Sequence, residues 1–181
     1  VMNDSTQAPV TNINWKLLLR RLERQKAVLF LGPEVPMDTQ ESPVPIKEAL
    51  QEHVHRDLGE LLQEYDLEKI EYYQEDGLFH LEVDYKSDII YPIVQFYKGL
   101  ELTDVNKKLV QLPFHLILSL SPDDLIHRAM TEMGLAHHFH YYDKRRYNKE
   151  KDDTILSFKP TLNERLVYNI FGSIDQEDSL I

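Results

Sequence analysis

Ala27-Val28-Leu29-Phe30-Leu31-Gly32-Pro33 is the stretch whose reading decides the fold. Five consecutive apolar residues closed by glycine and proline show no alternation, so the run suits a strand buried on both faces, as in a parallel sheet. Upstream, Asn14 can cap a helix from Trp15 to about Gln25. Trp15, Leu18, Leu19 and Leu22 share one face of it, with Arg20, Arg21 and Arg24 around the others. Downstream, Val35 to Pro45 is proline-rich and polar and reads as a loop. Ile46, Ala49, Leu50, Val54, Leu58, Leu61 and Leu62 then repeat at helical spacing and predict a helix from Ile46 to about Tyr65.

Asp66 to Asp88 suggests a helix around Leu67–Gln74, a turn at Asp76-Gly77 and a short segment Leu78–Val83. Ile89–Leu100 predicts a helix with Pro92 in its first turn, where a missing N–H does least harm. Phe114–Leu120 is a second apolar run, followed by a helix Leu125–Met133 that Gly134 ends. Phe139–Tyr142 and Leu166–Ile170 read as a third and a fourth strand, with a polar surface excursion from Asp143 to Asp153 between them. Strands separated by helices predict an α/β fold, a three-layer Rossmann-like parallel sheet with helices on both faces. Residues 27–31, 115–119 and 167–170 should be neighbouring parallel strands, with Gly32, Ser121 and Phe171 at their C-terminal ends.

The chain has 181 residues and is 42% hydrophobic, enough for one substantial core and not two. Residues 1–13 read as a flexible arm and 14–181 as a single domain. A formal charge of −11 opposes a general grip on nucleic acid or on an anionic membrane. Lys144-Arg145-Arg146 reads as a solvated turn. With no cysteine, disulfides, thiol nucleophiles and thiolate zinc sites are excluded. No apolar run approaches the ~18 residues that span a bilayer, and residues 1–13 show no leader pattern, so the expected location is the cytoplasm. After the last strand, Ser173 to Ile181 offers no element to close the sheet. The C-terminal part of the domain is therefore expected to be missing, leaving an apolar face around Leu166, Ile170 and Ile181 for a protein partner or for self-association.

Candidate chemistry gathers after the strands. Gly32-Pro33-Glu34-Val35-Pro36 stands where a Rossmann fold keeps its phosphate-binding turn, but Pro33 deletes an N–H donor and Glu34 adds a negative charge. In Leu118-Ser119-Leu120-Ser121-Pro122-Asp123-Asp124, Ser121 suits an N-cap, Pro122 the first helical position, and the two carboxylates the first turn. His137, His138 and His140 lack the further ligands that zinc requires, so no metal is assigned. His53 and His55 do not share a helix face. No nucleophile elbow, P-loop or His-Glu-x-x-His sequence occurs.

Four pieces in order resemble the sirtuin-like family: the Trp15 helix; Ala27-Val28-Leu29-Phe30-Leu31-Gly32; Pro113-Phe114-His115-Leu116-Ile117-Leu118-Ser119 with Asp123; and Val167-Tyr168-Asn169-Ile170-Phe171-Gly172-Ser173. They are similar to that family's strand-plus-glycine nucleotide loop, its Thr-x-Asn-x-Asp turn and its His-Gly segment. The likeness is nearest to bacterial members found in antiviral conflict systems. The four-cysteine zinc module usual in the deacetylases is impossible here. The resemblance implies a nucleotide pocket lined by Gly32, Pro33, Glu34, Val35, Ser119, Ser121, Asp123 and Gly172.

The departures from the family pattern fall on the chemistry. Gly32-Pro33-Glu34 replaces Gly-Ala-Gly, Ser121 stands for the ribose-binding asparagine, and Phe171 stands for the catalytic histidine. Loss of a general base alone costs about 10²–10⁴ in rate. The expectation is a vestigial pocket with no catalytic residue and no required cofactor, in an interaction or regulatory module of a larger bacterial protein. Two alternatives stay open. One is an NAD hydrolase using Glu34, Asp123 and Tyr168. The other is a sensor that holds NAD or ADP-ribose without turnover.

Overall fold

Asn14 starts the first helix as its side chain predicts: its Oδ1 accepts the Leu17 N–H at 2.9 Å, and α1 runs Trp15–Glu23. The structure, a computed structural model, describes residues 13–32, 36–37, 44–61, 70–73, 78–81, 86–143 and 158–180. The arm at residues 1–12, Pro33, Glu34 and Val35, the Asp76-Gly77 turn, residues 62–65 and 144–153, and Ile181 lie outside the described residues.

Along the chain, α1 is followed by β1 (Leu29–Leu31), a short antiparallel pair β2 (Pro36–Met37) and β3 (Val44–Pro45), and α2 (Ile46–Leu61). Next come a second antiparallel pair, β4 (Ile70–Tyr73) and β5 (Leu78–Leu81), then α3 (Lys86–Lys98) and α4 (Asp104–Gln111). The chain continues through β6 (Leu116–Ser119), α5 (Leu125–Glu132), β7 (His137–Tyr141), β8 (Arg165–Asn169) and a 3₁₀ turn, Glu177–Ser179.

Four strands form one parallel sheet in the order β1-β6-β8-β7. The architecture is therefore α/β and Rossmann-like, and the three strands expected to be neighbours are neighbours. Leu31, Ser119 and Asn169 stand in one row across the sheet, so the residues after them emerge at one edge.

One sheet face is firmly packed. Leu31, Ile117 and Val167 meet Leu22 of α1, Val110 of α4, and Ile126, Ala129 and Met130 of α5 in a single buried cluster. Ile117 and Val167 are essentially inaccessible, each removing roughly 2–3 kcal/mol worth of apolar surface from water. A second cluster joins Ile46, Leu50 and Val54 of α2 to Phe96 and Tyr97 of α3, with Leu100, Leu125 and Ile174. On the opposite sheet face Leu118 and Tyr168 are half-buried and Phe30 is 56% exposed.

Arg165 ties β8 to α4. Its Nη1 donates to the carbonyls of Val110 (2.6 Å) and Leu112 (3.3 Å), and its Nε donates to Leu162 (3.3 Å). A buried guanidinium thus meets the last carbonyls of a helix, where both hydrogen-bonding capacity and the helix dipole favour a cation.

Several sequence expectations need correction. Residues 70–73 are a strand and not part of a helix over Leu67–Gln74: the β-branched and aromatic Ile70, Tyr72 and Tyr73 pair with Leu81, Phe79 and Leu78, a complement that local periodicity does not register. Pro92 is interior to α3, because the helix starts at Lys86 and not at Ile89, and its ring is buried. The third strand begins at His137, two residues before Phe139, and ends at Tyr141. Helix α4 was not anticipated, although Thr103 and Asn106 form a reciprocal capping box, the Thr103 side chain accepting the Asn106 N–H and Asn106 Oδ1 accepting the Thr103 N–H. Leu166 is 8% exposed, so the expected apolar face is not centred on it. Its strand is interior, flanked by β6 and β7, and the sheet edges are β1 and β7 instead.

Candidate functional site

Strand register brings the motif residues to one rim. Gly32 follows β1 directly, Ser121 lies two residues past β6, and Phe171 two past β8. The Leu120 N–H bonds the Leu31 carbonyl at 2.9 Å and the Ile170 N–H bonds the Ser119 carbonyl at 2.8 Å, so pairing continues beyond the strands and holds the three loop starts together. In open parallel sheets this rim is where ligands bind.

The loop after β6 is folded on its own side chains. Ser119 Oγ accepts the Ser121 N–H and donates to the Ser121 carbonyl, both at 3.1 Å. Ser121 Oγ donates to Asp123 Oδ2, and Asp123 Oδ1 accepts the Leu125 N–H at 2.9 Å. Ser119, Ser121 and Asp123 are all buried. Burial pushes the Asp123 carboxyl above the ordinary carboxylate range, and the negative Asp124 adds to it. The hydroxyl of Ser121, the Leu125 N–H and the charge of Arg128 pull the other way.

This geometry corrects the capping assignment. Ser121 is not the N-cap and Pro122 is not the first helical residue. The cap is Asp124, which makes no side-chain capping bond, and the helix has no acidic residue in its first turn. Asp123 supplies the bond to a free N–H from one residue further back, as aspartates do in turns. Asp124 instead receives Arg128 Nε at 2.9 Å, while Arg128 Nη2 donates to the Leu100 carbonyl at 2.7 Å.

The strand β8 and the loop after it complete the rim. Asn169, 1% exposed, donates from Nδ2 to the Asp123 carbonyl at 2.8 Å, and the Ile174 N–H donates to the Pro122 carbonyl at 3.1 Å. Gly172 has φ +94°, and a Cβ there would stand 2.3 Å from the Ser179 carbonyl oxygen. Ser179 Oγ in turn accepts the Ser173 N–H at 2.9 Å and donates to the Gln176 carbonyl at 2.6 Å. The glycine of the Phe171-Gly172 pair is thus demanded by the chain's own 3₁₀ turn. Phe171 is half-buried at the same rim and offers no proton acceptor.

Of the pocket residues read from the sequence, Ser119, Ser121 and Asp123 belong to one hydrogen-bonded network, and Gly32 and Gly172 lie along the same rim. Pro33, Glu34 and Val35 lie outside the described residues. Tyr168 is on the other sheet face from Ser119 and Asn169, as strand alternation requires, and burial raises its phenol, with Tyr142 adding to the shift.

Asn169, Ser173 and Ser179 were not anticipated; the signal for Asn169 was a lone amide inside an apolar strand. Also unanticipated, His127 on α5 stacks on Phe139 with ring centroids 4.9 Å apart. Its Nδ1 lies 2.8 Å from His137 Nε2, and His137 Nδ1 lies 2.7 Å from the Leu135 carbonyl. A neutral His137 donates from Nδ1 to that carbonyl, so its Nε2 accepts and His127 Nδ1–H donates. Burial lowers the His127 pKa, and His137 lowers it further. His138 and His140 stack in parallel at 6.3 Å, with His138 Nε2 3.2 Å from Glu164 Oε1. Among the described residues no group of three or more His, Asp or Glu could hold a metal ion. No described helix is long and apolar enough to cross a membrane.

No family model matches the chain, and no curated protein matches it.

Proposed function

We propose that this chain is a sirtuin-like module of three-layer Rossmann type that works by interaction or regulation within a larger bacterial protein, without turning over NAD. The defence setting comes from the resemblance alone, since a fold does not fix a function.

One observation carries the reading. At the rim where a nucleotide would bind, the side chains of Ser121 and Asp123 are committed to each other and to their own loop, and the residue at the position of the family's histidine is Phe171. A buried serine and aspartate satisfied in this way support a loop's shape and leave no base aimed at a reacting group. The test incubates the chain with NAD and follows nicotinamide and ADP-ribose by chromatography, beside an active sirtuin-like NAD hydrolase. The expected result is no release above background. Release proportional to enzyme and abolished by Asp123→Asn or Glu34→Gln would overturn the reading in favour of a hydrolase. Saturable NAD or ADP-ribose binding without release would replace it with a sensor.

A further inference from the structure

Where α5 packs on the start of β7, two histidines that the rim does not use are bonded to each other. His127 Nδ1 lies 2.8 Å from His137 Nε2, with ring centroids 4.9 Å apart and planes inclined at 60°. His137 Nδ1 stands 2.7 Å from the Leu135 carbonyl oxygen, which can only accept, so that nitrogen carries the ring's proton. His137 Nε2 is then the acceptor, and the proton between the rings belongs to His127 Nδ1.

The two rings answer an added proton differently. One taken up at His127 Nε2 leaves the Nδ1–H donor in place and makes the bond charge-assisted. His127 also lies nearly flat on Phe139, at 4.9 Å and 20°, and an aromatic face attracts a cation. A proton taken up at His137 Nε2 turns the acceptor into a donor, and two N–H groups then face each other across a gap that only a hydrogen bond permits.

Charged and titratable groups meet the pair from each side. Burial holds His127 less basic than an ordinary histidine and His137 adds to this, against Asp124 at the start of α5 and Asp175 in the loop after β8. Asp124 is itself paired with Arg128. From β8, Arg165 is the register partner of His137, and from β7 the phenol of Tyr141 reaches the same sheet face beside Phe139.

Among the described residues β7 is an edge strand with β8 as its neighbour. We propose that the His127–His137 bond is a proton-operated clasp on this edge, closed while the pair carries one added proton or none and open once both rings are charged. A pair that takes up protons less readily folded than unfolded contributes stability at neutral pH that is lost as pH falls. Opening acts first on β7, since β8 alone then holds it, so acid loosens the edge of the sheet while β6 and β8 stay paired. The proposal is independent of the nucleotide reading.

The test is an NMR titration of the ¹⁵N-labelled chain from about pH 8 to about pH 4, following imidazole nitrogens and amide protection. At the upper end both rings should be Nδ1–H tautomers, and they should titrate in two separate steps. On the lower step the Tyr142 amide, 2.9 Å from the Asn169 carbonyl, should lose about tenfold or more of its protection, while the Ile170 amide on the Ser119 carbonyl keeps its own. His137→Gln keeps an acceptor and His127→Asn keeps a donor, and neither new side chain titrates; each should remove the lower step from Tyr142. Circular dichroism at neutral pH checks the fold of both variants, and the titration of the native chain decides without them. A single step at the ordinary histidine value for both rings, or an Nε2–H tautomer at His137, would overturn the proposal. So would loss of Ile170 protection in the same step, or a Tyr142 amide as acid-sensitive in both variants as in the native chain.

Discussion

Asn169 Nδ2 stands 2.8 Å from the main-chain carbonyl oxygen of Asp123, joining the end of β8 to the loop that follows β6. Both partners are buried, and with the bonds from the Ile170 N–H to the Ser119 carbonyl and from the Ile174 N–H to the Pro122 carbonyl this one ties the two segments together at the rim of the sheet.

Replacing Asn169 with leucine keeps the approximate size and removes the donor. The Asp123 carbonyl would be left buried without that bond, at a cost of about 1–3 kcal/mol. Urea unfolding should show a lowered midpoint with an unchanged slope. An unchanged midpoint would mean that the loop after β6 holds its shape without β8.

The Asp123 carboxyl predicts a pH dependence of definite sign. Burial raises its folded-state value above the ordinary carboxylate range, so the folded chain binds the proton more tightly than the unfolded chain. The contribution is fully favourable below the unfolded value and is lost as pH rises through the raised one. Asp123→Asn keeps an acceptor for the Leu125 N–H and cannot ionise, so stability relative to the native chain should grow as pH rises across that window. Thermal unfolding of both proteins from acid to neutral pH measures it. Parallel curves would mean that Asp123 ionises in the fold as easily as in the unfolded chain.

Gly172→Ala meets two obstacles at once: φ of +94° and a carbonyl oxygen 2.3 Å from the new Cβ. Strain of this kind costs on the order of 1–3 kcal/mol, and displacement of the Ser179 turn adds to it. The Ser173–Ser179 bond should be lost, exposing the last turn to faster amide exchange and lowering the melting temperature by several degrees. Gly134→Ala, with φ +65° but no atom within 4 Å of the added Cβ, should cost less. Equal losses at both positions would show that clash with Ser179 contributes nothing.

The parallel sheet was legible because both apolar runs, around Leu29–Leu31 and Leu116–Ser119, lack alternation, but the expectation that the first run is buried on both faces is not met, since Phe30 is 56% exposed. The start of α1 at Asn14 and the end of α5 before Gly134 were legible for a local reason: a cap or a positive φ is decided within one turn of chain. Residues 70–73 were misread because pairing with residues 78–81 outweighs a helical tendency that local spacing alone records.

The rim of the sheet divides in the same way. Its membership, Gly32, Ser121 and Phe171 after three strands, follows from sequence, since parallel strands in register deliver their ends to one edge. What these residues do there was decided by tertiary structure. The sequence alone makes Ser121 a helix cap; in the fold its hydroxyl turns to Asp123, because Asn169 and Ile174, about fifty residues further along the chain, hold the carbonyls of Asp123 and Pro122. Gly172 likewise passes for a motif residue until Ser179 is seen against it. Hydrogen bonds between distant segments leave no periodicity in a sequence, whereas strand burial and helix capping do.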